Sequence, residues 1–201
     1  MRTMGRAGVA LAAMLAMGAA TMAAQAHDWV IDKNHSEADF SVKHMGVGTV
    51  HGSFHAVTGV VHFEAGNPNV WTVEATIDMN SLDTGVAARD NDLKSARFFD
   101  VAQYPTMTFK STSVKKDAGV GYDVKGDLTM HGVTKPVVLI MEPPAGEEVG
   151  MDAKSVHRGF VATTTVNRKD FGLTWNGMLK SGDAVISDQV KIELDVEAVE
   201  K

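Results

Sequence analysis

Cysteine is absent from all 201 residues, and that single absence removes several mechanisms together. There is no disulfide framework, no thiol nucleophile, no thiolate to hold a metal, and no attachment point for a lipoprotein anchor. The Gly-x-Ser-x-Gly elbow of serine hydrolases and the P-loop of nucleotide-binding proteins are missing too. So are His-x-His and Glu-x-x-His, the short spacings from which zinc sites are commonly read. Basic excess is lacking as well, with 19 Lys and Arg against 25 Asp and Glu. This balance disfavours nucleic acid and broad docking on anionic headgroups. No internal repeat and no low-complexity segment follows the N-terminal apolar run.

That run reads as an export signal. Arg2 and Arg6 form a positive start, Ala7 to Ala20 is almost wholly apolar, and Ala24-Gln25-Ala26 offers the small residues that a signal peptidase recognises. The run is shorter than the ~20 residues needed to span a bilayer, and its two arginines are not adjacent, which argues against a twin-arginine route. Residues 1–26 are therefore expected to be a cleaved signal peptide. Residues 27–201 are expected to form one periplasmic domain, starting at His27. Because only Arg2 and Arg6 among all the charged residues precede His27, that domain carries a net charge of −8. It is long enough to bury a substantial core without covalent staples.

Beyond the signal the pattern is that of half-buried strands. Ala38, Phe40, Val42 and His44 alternate with Asp39, Ser41 and Lys43. Trp71, Val73, Ala75, Ile77 and Met79 alternate with Thr72, Glu74, Thr76 and Asp78. Val190, Ile192, Leu194 and Val196 alternate with Lys191, Glu193, Asp195 and Glu197. One polar face per strand is the mark of an antiparallel sheet. Turn chemistry falls at Gly66-Asn67-Pro68-Asn69, Asp117-Ala118-Gly119, His131-Gly132 and Ser181-Gly182-Asp183. One helical stretch is expected from about Val86 to Ser95, with Thr84 as its N-cap. The fold class is all-β, a closed antiparallel barrel or a sandwich; about eight strands would give an interior that packs solid or holds one small ligand.

No enzyme site emerges from the residues. His35 and Ser36 are neighbours, so on a strand they face opposite ways and form no dyad. Asp90 with Asp92, and Glu147 with Glu148, read as solvated charge. Five of the 8 histidines fall between His35 and His62. His51 and His55, four apart on a strand, stand about 13 Å apart and cannot share an ion. No metal site is assigned, although His27 at a free N-terminus has the donors for weak Cu(II) chelation. Phe40, Val42, Met107, Phe109, Leu128, Met130, Phe160 and Leu194 occupy apolar strand positions with polar neighbours and are expected to face inward. Phe54, Trp71, Val138, Ile140 and Trp175 join them as core candidates. A dry core and a ligand cavity both fit this inventory.

The motifs together resemble the YceI family of lipocalin-like barrels. They are Trp29-x-Ile31-Asp32-x-x-His35-Ser36, Val42-Lys43-His44-Met45, Arg89-Asp90, Leu93-Lys94-Ser95, Phe98-Phe99-Asp100, Tyr104-Pro105, Gly126 to Pro136 and Ser187-Asp188-Gln189-Val190. The chain departs at Asp92, where many relatives carry His. The resemblance implies an antiparallel lipocalin-like β-barrel with a short helical cover. It implies a non-enzymatic carrier whose pore takes a polyisoprenoid lipid of the quinone or polyprenyl phosphate type. No cofactor beyond such a lipid is expected. Transient contact with a membrane or a membrane b-type cytochrome, and a homodimer, are compatible with it. The lipid's polar end would then meet residues at the mouth. His44 ends the first strand face, Arg89 and Asp90 sit on the helical stretch, and Arg168 follows the Phe160 strand. The competing reading is a stress-response or protein-interaction module with a dry barrel; an unrecognised metal-dependent enzyme is a third.

Overall fold

The computed structural model describes residues 26–201; apart from Ala26, the expected signal peptide lies outside them. The strands are β1 (Ala26–His44), β2 (Gly48–Phe54), β3 (Val57–Glu64), β4 (Thr72–Asp78), β5 (Leu82–Asp83), β6 (Thr106–Lys116), β7 (Tyr122–Met130), β8 (Val133–Met141), β9 (Glu148–Val149), β10 (Val156–Asn167) and β11 (Ile186–Glu200), with one α-helix, α1 (Ala87–Lys94). Eight of them close an antiparallel barrel in the order β1-β3-β4-β6-β7-β8-β10-β11, and β11 returns to β1. β1 is long enough to serve two neighbours on one side. Its first residues pair with β3, from Ala26↔Glu64 to Val30↔Val60, and its last with β2, from Ala38↔Phe54 to His44↔Gly48. The thinnest seam is between β8 and β10, where only Ala162↔Met141 and Thr163↔Ile140 are ladder pairs. Among the described residues no helix is long and apolar enough to cross a membrane.

The closing seam contains an irregularity that the sequence motif explains. Ile31 pairs with Ala198 and Ser36 with Val196, so Asp32, Lys33, Asn34 and His35 bulge opposite Glu197. A bulge of this kind leaves ladder groups unpaired, and Ser36 repairs the damage. Its buried Oγ donates to the Glu197 carbonyl at 3.0 Å and accepts from the Glu197 N–H at 3.0 Å. Asp32 closes the bulge from the outside, accepting from the Asn34 N–H and standing 2.9 Å from His35 Nδ1. The Asn34 N–H and then His35 hold the Asp32 carboxyl below its ordinary range. The Asp32 carboxylate, with Glu197 beyond it, holds the His35 imidazole above its ordinary value.

Two apolar clusters fill the two ends of the barrel. Trp29, Phe63, Trp71 and Phe160 form a floor, with the Arg158 guanidinium stacked 4.5 Å from the Phe63 ring centroid and 5.0 Å from that of Trp29. Phe54, Met79, Leu82, Phe171 and Leu173 pack at the other end, beneath α1 and the Ser95–Pro105 segment. His131 and Gly132 both have positive φ, 51° and 73°, and so make the tight primed turn that a two-residue hairpin requires.

The structure differs from the sequence pattern in β8 and at the start of α1. Val138 and Ile140 face outward, 37% and 47% exposed, while Val137, Leu139 and Met141 face the interior. Residues 137–141 form a continuous apolar run, which carries no parity from which to read a face. Thr84 does not cap α1; Val86 occupies that position without a side-chain bond.

Replacing Ser36 by Ala leaves the Glu197 N–H and C=O unpartnered inside the seam. It should lower stability by about 1–3 kcal/mol, read as a lower urea midpoint; an unchanged midpoint would show that the ladder closes without it. The Asp32–His35 pair has its own pH signature. A raised His35 pKa contributes stability below the unfolded value of roughly 6.5 and loses it as pH rises through the folded value. A depressed Asp32 pKa contributes above roughly 3.8 and loses it as pH falls. The melting-temperature loss from His35→Ala in chelator-containing buffer should therefore be larger at pH 5 than at pH 8.5. Equal losses at both would contradict the ion pair.

Candidate ligand cavity

The inward faces of the strands do not meet in the middle. Phe40, Val42, Phe109, Ile192 and Leu194 point into the barrel yet remain only half-buried, because empty space rather than a facing side chain lies against them. Two glycines help to keep that space open. Gly52 stands opposite Phe40 in the ladder, and a Cβ there would sit 2.5 Å from Phe40 Cζ. Gly126 receives the Phe109 ring in the same way, at 2.4 Å. Each ring folds against the wall where a side chain is missing.

The result is an internal cavity of about 210 Å³ with an almost entirely apolar lining. That exceeds the roughly 150 Å³ at which an apolar cavity stays dry and admits an aromatic ring. It runs along the barrel, from Leu93, Phe98 and Phe99 at the covered end to Leu139, Met141 and Phe160 toward the floor. Phe40, Val42, Met107, Phe109, Leu128, Met130, Phe160 and Leu194 all line it. Leu128 and Met130 are 7% and 6% exposed, so they form wall rather than rim.

The four residues expected at a mouth are distributed differently. Arg168 lines the cavity, but its guanidinium is committed. It donates to the Leu173, Trp175 and Ser187 carbonyls at 2.5, 2.7 and 3.1 Å and reaches Asp188 at 3.4 Å. Burial pushes its pKa down from the ordinary value, opposed by Asp188. It therefore latches the 168–188 segment over the barrel end. Arg89 donates from Nε to Thr84 Oγ1 at 2.7 Å and from Nη2 to the Thr84 carbonyl at 2.8 Å. Asp90 accepts from the Thr84 N–H at 2.9 Å and also from its hydroxyl. Both fold the entry to α1, and neither lines the cavity. His44 is a ladder residue, paired with Gly48 and Ile186, and is also outside the lining.

The cover over this end is aromatic. The Phe98 and Trp175 ring centroids lie 4.9 Å apart, and Arg97 stacks 4.7 Å from the Trp175 centroid. Asp92 holds Arg97 at 2.8 Å, so the residue that departs from the motif serves the cover. Leu93, Phe98, Phe99 and Leu173 were missed as lining residues. They lie in the helix and irregular segments, where no period-two pattern marks an inward face. The Phe98-Phe99 doublet was the available signal.

Comparison with known proteins agrees with this architecture. A model of the YceI-like domain matches residues 29–198. A UPF0312 protein of Pseudomonas savastanoi pv. phaseolicola is 38% identical over 195 residues, covering 94% of this chain and 96% of that protein. A UPF0312 protein of Vibrio cholerae is 37% identical over 196 residues, covering 96% of each. Among solved structures, the YCEI protein of Campylobacter jejuni shares 29% identity at a TM-score of 0.66, covering 79% of this chain and 90% of its own. Burkholderia cenocepacia BcnA superposes with a TM-score of 0.72 at 23% identity, over 84% of this chain and 99% of BcnA. A polyisoprenoid binding domain from Saccharophagus degradans has the same fold, with a TM-score of 0.58 at 18% identity, over 86% of this chain and 98% of that domain. With the barrel closed as described and the domain match spanning nearly all the described residues, this chain belongs to the YceI-like family.

Proposed function

We propose that the protein is a non-enzymatic periplasmic carrier that holds the tail of a polyisoprenoid lipid, of the quinone or polyprenyl phosphate type, inside the barrel. The observation that carries this reading is the continuous apolar cavity lined from Phe99 to Phe160. Its shape and chemistry suit a hydrocarbon chain. The polyisoprenoid binding domain of Saccharophagus degradans, which has the same fold, supports the ligand class. Each buried CH₂ contributes roughly 0.8 kcal/mol, so part of a long tail suffices for useful affinity without a charged partner. The N-terminal Arg2 to Ala26 segment, which has the pattern of an export signal, supports the periplasmic location, where water separates two membranes and a greasy molecule needs a shell.

The test is native mass spectrometry of the exported protein, followed by organic extraction. A bound species that extracts as an isoprenoid lipid is the expected result. A protein that shows only the unliganded mass, and takes up no quinone or polyprenyl phosphate when offered them, would overturn the reading in favour of a dry barrel.

The two charged residues of the lining, Asp39 and Arg168, are both engaged, Asp39 by the Ser53 hydroxyl and Arg168 by three carbonyls and Asp188, so the polar end is left at the rim and tail recognition dominates. Arg89→Ala should accordingly change retention of a quinone and of the matching bare hydrocarbon by the same factor, through a looser α1 entry. Retention assays with both ligands decide this. A loss confined to the quinone would restore Arg89 as a head-group contact.

A further inference from the structure

On the outer wall, away from the cavity, a groove is lined by His35, Glu37, His55, His157, Arg158 and Glu197. At its edge the β1 bulge brings three potential ligands together from the first and last strands. His35 Nδ1 lies 2.9 Å from Asp32 Oδ2 and 3.9 Å from Glu197 Oε1, and the donor atoms of all three residues fall within 4.8 Å of one another. Ligand atoms around a tetrahedral ion with bonds near 2.0–2.2 Å stand roughly 3.3 Å apart, which the two measured separations bracket. Glu197 is also held from a second direction. His157 Nδ1 is 2.7 Å from Glu197 Oε1, and its Nε2 is 2.8 Å from Ser155 Oγ, which donates to Asp152 at 2.9 Å. Ser155, His157 and Glu197 follow the order of a hydrolytic relay, but Ser155 spends its proton on Asp152 rather than on His157.

We propose that Asp32, His35 and Glu197 form a binding site for a divalent first-row cation of the Zn²⁺ type, with His157 as a positioning residue for Glu197. One imidazole and two carboxylates suit a borderline ion. Ca²⁺ and Mg²⁺ prefer an all-oxygen shell, and Cu(I) prefers sulfur. Three protein ligands leave a coordination position open toward the groove, as in sites that exchange a ligand rather than in closed structural ones. The ligands are not a random surface cluster, since Ser36 locks the bulge against the Glu197 backbone and so fixes both halves of the site.

The tag-free protein, stripped with chelator and transferred to chelator-free buffer, is titrated calorimetrically with ZnCl₂. One Zn²⁺ per chain is expected, not displaced by excess MgCl₂ or CaCl₂. His35→Ala and Glu197→Gln should each weaken binding tenfold or more, and His157→Ala by roughly 10- to 100-fold, the range for residues that orient a metal ligand. His55→Ala, which removes a histidine of the same groove that faces Glu37 at 3.2 Å, should leave binding unchanged. No Zn²⁺ binding by the unaltered protein, or undiminished affinity in either His35→Ala or Glu197→Gln, overturns the site. Because both variants touch the closing seam, a readout without mutation accompanies them. Co²⁺ added to the unaltered protein should shift the imidazole resonances of His35 and His157. Shifts confined to other histidines would also overturn it.

Discussion

Pairing of the first strand with the last is the constraint on which the rest of this structure hangs. Every other ladder in the ring joins strands that are near neighbours along the chain. The β1–β11 ladder alone brings Trp29 to Glu200 and Val42 to Val190. No disulfide assists, as the chain has no cysteine. Loop-closure entropy grows only slowly with length, so the cost is tolerable in stability and is felt instead as slow, non-local folding. Closure also removes the exposed edges that an open sheet of this size would present for aggregation. The Ser36 hydroxyl therefore matters beyond one hydrogen-bond pair. It lets the seam stay sealed across a bulge beyond which only Trp29, Val30 and Ile31 remain paired with the last strand.

Closure dictates what can happen inside. Eight strands set a diameter at which side chains either interlock or leave a narrow channel, and small residues tip the balance. Were Gly52 and Gly126 larger, Phe40 and Phe109 would be driven toward the axis. With glycine there, the rings lie along the wall and the channel survives between them. The floor of Trp29, Phe63, Trp71 and Phe160 blocks one end, so a chain-like occupant has to enter from the other. That end is capped by Phe98, Phe99 and Trp175 on irregular backbone. Few ladder hydrogen bonds resist their movement, which is where a low local unfolding cost is expected.

Legibility followed periodicity. Strands with strict alternation, such as those carrying Phe40, Ile77 and Leu194, could be assigned to faces from the residues alone, because a period of two leaves one choice of parity. The run Val137 to Met141 offered no such parity, and Val138 and Ile140 were placed on the wrong face. Arg89 and Asp90 are expected at the ligand because they sit on the helical stretch that interrupts the strand pattern, a natural lid over the pore. Their actual partner, Thr84, is a few residues away and satisfies them locally. Family resemblance supplied the closed barrel, but no pattern in the residues distinguished a hollow interior from a packed one. That distinction depends on Gly52 lying opposite Phe40, a register fact. The Asp32–His35–Glu197 cluster escaped for the same reason. The Asp-x-x-His spacing was visible, but its third member lies 162 positions beyond His35 and becomes a neighbour only once β11 closes on β1.

Inner and outer walls thus follow opposite rules on the same strands. Along β11, Val190, Ile192 and Leu194 face the apolar channel, while Lys191, Glu193 and Asp195 face water. Glu197 belongs to the outer row and Ala198, fully buried, to the inner one. An ion held by Asp32, His35 and Glu197 would bridge β1 and β11 at their bulge, tying the two chain ends from outside without touching the cavity. Binding confined to the folded state adds RT ln(1 + [L]/Kd) to stability, so such an ion would strengthen the seam in proportion to its availability. In a chain without disulfides, the closing strand pair is where an external tie has the most leverage. Opening there breaches the barrel wall and exposes the apolar channel to water.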